Sequence, residues 1–589
     1  MRPRMLLLAS SLLIAMAARS QPASDPSAAA SGAPAASATV DAHQASIDAL
    51  FAEQAAEGTP GGAVSVYQGG KLVFAKGYGT ADLESGQPIT PQTQFHVASV
   101  SKQFTAFSIA LLAKEGKVDL DADVRTYLPY VPDFGHKITV RQLILHTSGL
   151  RDQWSLFSIG GQNTEGRVTQ QQIVNMVARQ QGLNFTPGTE YLYCNTGYTL
   201  LAEIVYKVSG KTLREFTSER IFKPLGMDRT FFFDDVTEIV PHRANSYAKR
   251  RDKDGKETGG WERELLNYDN VGATSLFTTV EDLAKWAGNF TNPKVGDKAL
   301  IEQVSTNGTL DDGTPINYGF ALQRTDLNGR TIVTHSGADA GFRALFVYYP
   351  EHDFAVSITA NTPFDMMDKI GKIADLYLPA VAETAKAEVP AEDAKGDLAR
   401  FVGTYITPYA TALKLEHRDG ALYRVSNWGE PQKLILRSNG KLDFGKPDQQ
   451  SYTPVLSADG KVVGLDELEK EDTVRQRLQR IEAYEAPAAD LAQYSGDFHS
   501  PELDITYSVN VVDGKLEVSS LWTDKPVALQ SVQVDRFDSV GWGLGTVIFQ
   551  RDGGGRINGL LVHNGRARNI RLDRVGNAHA QAPAASSEQ

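Results

Sequence analysis

At 589 residues the chain is too long for a single hydrophobic core, so about two to four domains are expected. Hydrophobic residues make up 41% and charged residues 22%, the balance of a soluble globular protein, while a net charge of −12 and a pI of about 5.5 exclude nucleic acid as the main partner, because phosphate binding needs a basic field. A single cysteine, Cys194, excludes an intramolecular disulfide and a thiolate metal cluster.

The chain opens with "MRPR", which supplies positive charge, and continues with the short apolar run "MLLLASSLLIAMA". Small residues follow, with Ala15-Met16-Ala17 or Ala18-Arg19-Ser20 as cleavage boundaries, so residues 1–20 read as a secretory signal peptide rather than a membrane span. A periplasmic or secreted protein with no membrane span after processing is expected. No cysteine stands nearby to carry a lipid anchor. Residues 21–40, rich in Ala, Ser and Pro, read as a disordered tether.

The expected catalytic domain covers residues 41–380. It starts with a helix over "DAHQASIDALFAEQAAEG" and a hairpin of two alternating runs around Gly69-Gly70. A helix begins near Ser99 in "ASVSKQFTAFSIALLAK", and "ITVRQLILHTSGLRD" reads as a helix running into a loop. Helical periodicity returns in "TQQQIVNMVARQQ", "NTGYTLLAEIVYKVSG" and "TTVEDLAKWAGNF", where Thr278 and Glu281 stand at capping-box spacing. Three strands close the domain: "TIVTH", "FRALFVYYP" and "FAVSITANT". The terminal strands can join one antiparallel sheet with helices packed on it. Residues 381–397, Ala- and Glu-rich with one Pro, read as a linker or boundary helix. Beyond it the sequence repeats: "DLARFVGTY" from Asp397 matches "DLAQYSGDF" from Asp490, and "DGALYRVSNW" from Asp419 matches "DGKLEVSSLW" from Asp513. Two copies of one small antiparallel β domain, a barrel or sandwich over residues 398–486 and 487–575, account for the offset. Residues 576–589 read as a disordered tail.

The chemistry centres on Ser99 and Lys102. A serine hydroxyl needs a base before it attacks a carbonyl, and residues at i and i+3 share a helix face. Lysine serves as that base when burial or neighbouring charge lowers its pKa, and the apolar "FTAFSIALLA" after it suits a central helix. Ser101 and Ser108 are decoys, Ser101 falling on the wrong face. Alone, S-x-x-K is a common tetrapeptide. Downstream come Y-x-N at Tyr193 to Asn195 and, at the end of a strand, His335-Ser336-Gly337. No G-x-S-x-G and no H-E-x-x-H occurs, which counts against an α/β-hydrolase and a zinc peptidase. His146, which follows a helix, reads as a structural loop residue, and Cys194 as a small buried residue.

These three motifs in this order resemble the serine β-lactamase and penicillin-binding-protein superfamily, and most its class C-like branch, which includes esterases, D-aminopeptidases and DD-peptidases. The resemblance covers roughly residues 45–380 and extends to "LILHTSGLRD", "FTPGTEYLYCNTGYTLLAEIV" and "GATSLFTTVEDLAKW". It implies an α+β fold: a β-lactamase-like sandwich of an antiparallel sheet with helices, followed by two small antiparallel β-barrel-like domains, as D-aminopeptidases of this superfamily carry. It implies that Ser99 is acylated, that Lys102 assists its deprotonation, and that Tyr193 is general base and proton shuttle. Asn195 would orient the substrate amide and Lys102, with Asn195, His335, Ser336 and Gly337 binding substrate. The backbone N–H groups of Ser99 and Ala338 would form the oxyanion hole. Gly337 would let the strand approach substrate closely. One departure stands out: His335 takes the place of a lysine that many members use to bind a substrate carboxylate, which resembles the esterase and D-aminopeptidase members instead. The expected activity is acyl-enzyme hydrolysis of D-amino-acid peptides or amides, or of small esters, with no metal and no cofactor. β-Lactamase or DD-carboxypeptidase action is the second reading, and a non-catalytic binding or sensor protein the third. The shared layout also suggests that one repeat sends a loop toward the cleft and limits substrate size. Nothing in the sequence fixes the oligomeric state.

Overall fold

The computed structural model describes residues 43–162, 166–252, 255–381, 396–425, 431–445, 450–468, 474–521, 525–540 and 543–575. The expected signal peptide, tether and tail, and most of the expected linker, lie outside the described residues.

A six-stranded antiparallel sheet organises the first part. Its strands are β1 (Gly62–Gln68), β2 (Lys71–Tyr78), β3 (Gln323–Leu327), β4 (Arg330–Asp339), β5 (Phe342–Tyr349) and β6 (Phe354–Ala360), in the order β3-β4-β5-β6-β1-β2. The N-terminal hairpin thus joins the late strands through β1 and β6, registered Gly62 to Ala360. Period-2 alternation assigns the two faces. Val64, Val66, Leu345, Val347, Val356 and Ile358 pack under two terminal helices, α1 (Gln44–Leu50) through Ile47 and a last helix (Met366–Tyr377) through Ile370 and Ile373. Tyr67, Phe346 and Tyr348 face the other way, toward the helical core with Trp286 and Phe290. The result is a helix–sheet–helix sandwich.

At the centre of the helical layer lies α2 (Ser101–Lys114), buried from Ser101 through Leu112. Beside it runs α3 (Asn195–Ser209), which ends where Gly210 takes the left-handed conformation. Three local expectations are corrected. The first helix stops at Leu50, because beyond Phe51 the segment has only small or polar residues and ends at Gly58-Thr59-Pro60. Ser99 lies in a 3₁₀ turn, Ala98–Val100, just ahead of α2. The cap of the helix Val280–Thr291 is Thr279, whose hydroxyl accepts the Asp282 N–H, while Thr278 is the last residue of a strand paired with Phe95.

The repeats fold into two closed eight-stranded antiparallel barrels, one from Gly403 to Ile481 and one from Gly496 to Val575. In each, the D-G pair makes the tight hairpin expected of it, with positive φ at both Asp419 and Gly420, and at both Asp513 and Gly514. The first barrel encloses its own core around Phe401, Tyr405, Leu415 and Leu465. The core of the second, around Phe498, Phe537, Phe549 and Leu572, is continuous with that of the catalytic helices. From His43 onward the chain forms one compact unit.

Candidate active site

The site forms where the 3₁₀ turn, the N-terminus of α3 and the end of β4 converge. At the turn Ala98 adopts φ +47°, an uncommon conformation for a residue with a Cβ, and its N–H donates to His96 Nδ1 at 3.2 Å. This bend aims Ser99 back over α2. Ser101 points the other way: its hydroxyl bonds to Ala98 O and accepts the Leu276 N–H, so it is structural.

Lys102 is fully buried. Its Nζ donates to Ser99 Oγ at 3.0 Å, Asn195 Oδ1 at 2.8 Å and the Ala273 carbonyl at 2.6 Å, which satisfies all three ammonium hydrogens. Burial pushes its pKa down to about 7; Asp339 and Asp152 oppose that shift and Arg566 adds to it. The amine therefore takes up or releases a proton near neutrality, as a general base must.

Tyr193 precedes α3. Its phenol hydrogen-bonds Ser99, and its ring centroid lies 4.9 Å from Lys102 Nζ. Burial holds this phenol far above the ordinary range, so it stays neutral at neutral pH. Cys194 is buried, its thiol donates to Leu150 O, and burial pushes its pKa up to about 12, which leaves it no thiolate for attack.

His335, on β4, is neutral. Burial, followed by the Lys102 charge, lowers its pKa to about 3. Nδ1 lies 2.6 Å from Ser336 O, which only accepts, so Nδ1 carries the hydrogen and Nε2 receives the Tyr318 hydroxyl at 2.9 Å. Ser336 is exposed beside it. A Cβ on Gly337 would stand 2.2 Å from Val97 O and 3.0 Å from Ser99 N. The glycine thus brings β4 against the nucleophile turn itself, and sets Ala338, the next residue, beside that turn.

Ser99, Lys102, Tyr193, Asn195, His335 and Gly337 are therefore brought together as the motif order implied. Sequence reasoning missed three neighbours, Tyr318, Asp152 and Arg566, and named a fourth, His146, as a structural loop residue. Tyr318 fixes the His335 tautomer, and His146 Nδ1 accepts the Cys194 N–H at 3.0 Å with its ring 4.2 Å from that of Tyr193. Asp152 binds Asn195, and Arg566, from the second barrel, places its guanidinium 5.6 Å from the Tyr193 ring centroid. For Asp152 the signal was its place beside "HTSGL"; for Arg566 there was none.

The Beta-lactamase family model matches residues 47–377. The chain belongs to this family. Over 528 residues it is 26% identical to a D-aminopeptidase of Brucella melitensis biotype 1, covering 88% of this chain and 96% of the relative. Two solved structures share its fold. The octameric penicillin-binding protein homologue from Pyrococcus abyssi aligns with a TM-score of 0.52 at 23% identity, over 74% of this chain and 99% of that one. SurE aligns with a TM-score of 0.51 at 23% identity, over 75% of this chain and 99% of that one. This β-lactamase-family protein is a serine hydrolase.

Proposed function

We propose that the protein is an exported hydrolase that forms an acyl-enzyme at Ser99 and acts on D-aminoacyl peptides or amides, or on small esters. The observation that carries the reading is a buried amine of neutral pKa, Lys102, 3.0 Å from the Ser99 hydroxyl. Ser99 loses its proton to Lys102, directly or through the Tyr193 phenol, and attacks the carbonyl. Because Tyr193 is held neutral, its part narrows from standing base to relay: it passes a proton on to the leaving amine or alkoxide. The oxyanion is held by the N–H groups of Ser99 and Ala338, and Asn195 and the Ser336-Gly337 edge align the acyl group. Water then resolves the acyl-enzyme.

The neutral His335 disfavours the β-lactamase and DD-carboxypeptidase alternatives, since it offers no permanent cation to a substrate carboxylate. The D-aminopeptidase of Brucella melitensis, matched over 88% of this chain, supports amide substrates of D-configuration. Arg566, in the Asn564–Ala567 turn of the second barrel, lies 5.6 Å from the Tyr193 ring centroid, which supports this turn as the loop proposed to limit substrate size. The test is intact mass after a fluorophosphonate probe. One adduct, lost in Ser99→Ala, followed by turnover of D-alanine amide or ester and not its L-isomer, supports the reading; folded protein without an adduct overturns it in favour of a binding role.

A further inference from the structure

Asp152 is a fully buried carboxylate at the N-cap of the helix Gln153–Ile159. Its Oδ1 accepts the N–H groups of Trp154 and Ser155. Its Oδ2 accepts two hydrogens from one residue, the Asn195 backbone N–H at 2.6 Å and Asn195 Nδ2 at 2.8 Å. The two ends of an amide differ only in donating or accepting. With a carboxylate at Nδ2, Asn195 must turn Oδ1 to the other side, where Lys102 Nζ waits at 2.8 Å. The reversed amide would set oxygen against carboxylate and N–H against ammonium.

The loop that carries Asp152 is held from the second barrel. The Asp152 N–H donates to Arg566 O at 3.0 Å, Asn184 Nδ2 donates to the same carbonyl at 2.9 Å, and Arg566 Nη2 stands 3.8 Å from Asp152 Oδ1. Arg151, the preceding residue, donates to Arg568 O, Asn569 O and, at 2.6 Å, Glu502 Oε2. Both partners of that last pair are 3% exposed.

We propose that the second barrel is a working part of the catalytic centre: its Asn564–Ala567 turn clamps Asp152, and Asp152 is the positioning residue that keeps the Asn195 amide and Lys102 in register with Ser99. The inference rests on the Ser99–Lys102 reading above, and differs from a size limit because it applies to substrates of any size. It also places charge around Lys102. Asp339 faces it from β4, Asp152 from the loop before Gln153, and Arg566 from the barrel. The rings of His146 and His335 are held neutral by burial, and Tyr193 and Cys194 stay protonated. The carboxylates favour the ammonium form of Lys102, and Arg566 favours the free amine.

The experiment compares full-length wild type, Asp152→Asn and Arg566→Met. Two quantities are followed against pH: the rate of fluorophosphonate labelling at Ser99, and the Lys102 titration in protein carrying ¹³Cε-lysine, assigned by its loss in Lys102→Ala. Asp152→Asn is expected to label about tenfold or more slowly on the plateau, and its acid limb to move to lower pH, because an anion that raised the lysine pKa is gone. Arg566→Met is expected to move the limb to higher pH, because a cation that lowered it is gone. A helix cap alone would lower the melting temperature without moving either limb. Folded Asp152→Asn with the wild-type plateau and limb overturns the proposal. Should Asp152→Asn not fold, an unmoved Arg566→Met limb overturns it. Wild type that never labels refutes the acyl-enzyme reading instead, and the Lys102 resonance still shows the opposed shifts or their absence.

Discussion

Gly337→Ala tests how β4 meets the nucleophile turn. The added Cβ would lie 2.2 Å from Val97 O, 3.0 Å from Ser99 N and 3.1 Å from Val97 C. All three are backbone atoms, so no side chain can swing aside. Ordinary contact starts near 3.5 Å, so either β4 lifts or the turn shifts by roughly 1 Å. Overpacking of this kind costs about 1–3 kcal/mol of stability, which a protein of this size survives. Catalysis is more sensitive: the shift lands on Ser99 N, a donor of the proposed oxyanion hole, and a misplacement of about 1 Å costs roughly 10²-fold. The assay follows adduct formation by intact mass over time, with thermal melting of the same sample. The expected result is a folded protein, slightly less stable, that labels about 10²-fold more slowly. A variant that labels and melts like wild type would refute the described packing of β4 on the turn.

The kcat/KM of wild type should rise with pH through about 7 and then level, as Lys102 loses its proton; Lys102→Arg, charged at every accessible pH, should show no limb and lose about 10²-fold or more in rate. Tyr193→Phe should slow amide hydrolysis by about 10²–10⁴-fold and p-nitrophenyl ester hydrolysis far less, because a good leaving group needs no proton; equal losses on both would remove the relay role. Arg151→Met strands the buried Glu502 carboxylate and should cost about 3–5 kcal/mol, seen as lower soluble yield and melting temperature. Adding Glu502→Leu should recover part of that loss, and a double variant no more stable than the single would contradict the pairing.

Legibility in the sequence followed the range of the interaction. The Ser99–Lys102 contact is local, reaching from the 3₁₀ turn Ala98–Val100 to the first turn of α2, so the i to i+3 spacing offers the pair and the downstream motifs single it out. Tyr193, Asn195 and His335 are far apart in sequence but sit at the ends of strongly patterned elements, a helix start and a strand end, which motif order tracks. The barrels were readable because a duplicated chain repeats its D-G turns. Arg566 was not, and Asp152 was marked only by its place beside "HTSGL", because the contact between them exists only once the barrel is docked. Nothing in the sequence announces that Arg151 and Glu502 are buried; they are because each neutralises the other and the remaining guanidinium hydrogens find carbonyls. The neutrality of His335 was readable only as a tendency; Tyr318 and the Ser336 carbonyl make it a fixed tautomer.

The two barrels share a fold and differ in the sequence of one hairpin connection. In each, the seventh and eighth strands form a hairpin: Val462–Leu468 with Val474–Ile481 in the first, Ile557–Asn564 with Ala567–Val575 in the second. The connecting sequence of the first is Glu469-Lys470-Glu471-Asp472-Thr473; that of the second is Gly565-Arg566, followed by Arg568. The surface it meets presents Asp152 and Glu190, and Arg568 pairs with Glu190 at 2.9 Å while stacking 4.5 Å from the ring of Tyr409 in the first barrel. An acidic turn there would set like charges against both carboxylates, whereas the short basic turn offers cations and a free carbonyl to the Asp152 N–H. On the proposal above, this basic hairpin is what the second barrel contributes to the site, and the first barrel in turn meets the second through Arg536 on Ala410 O and Ala412 N–H on Asp538.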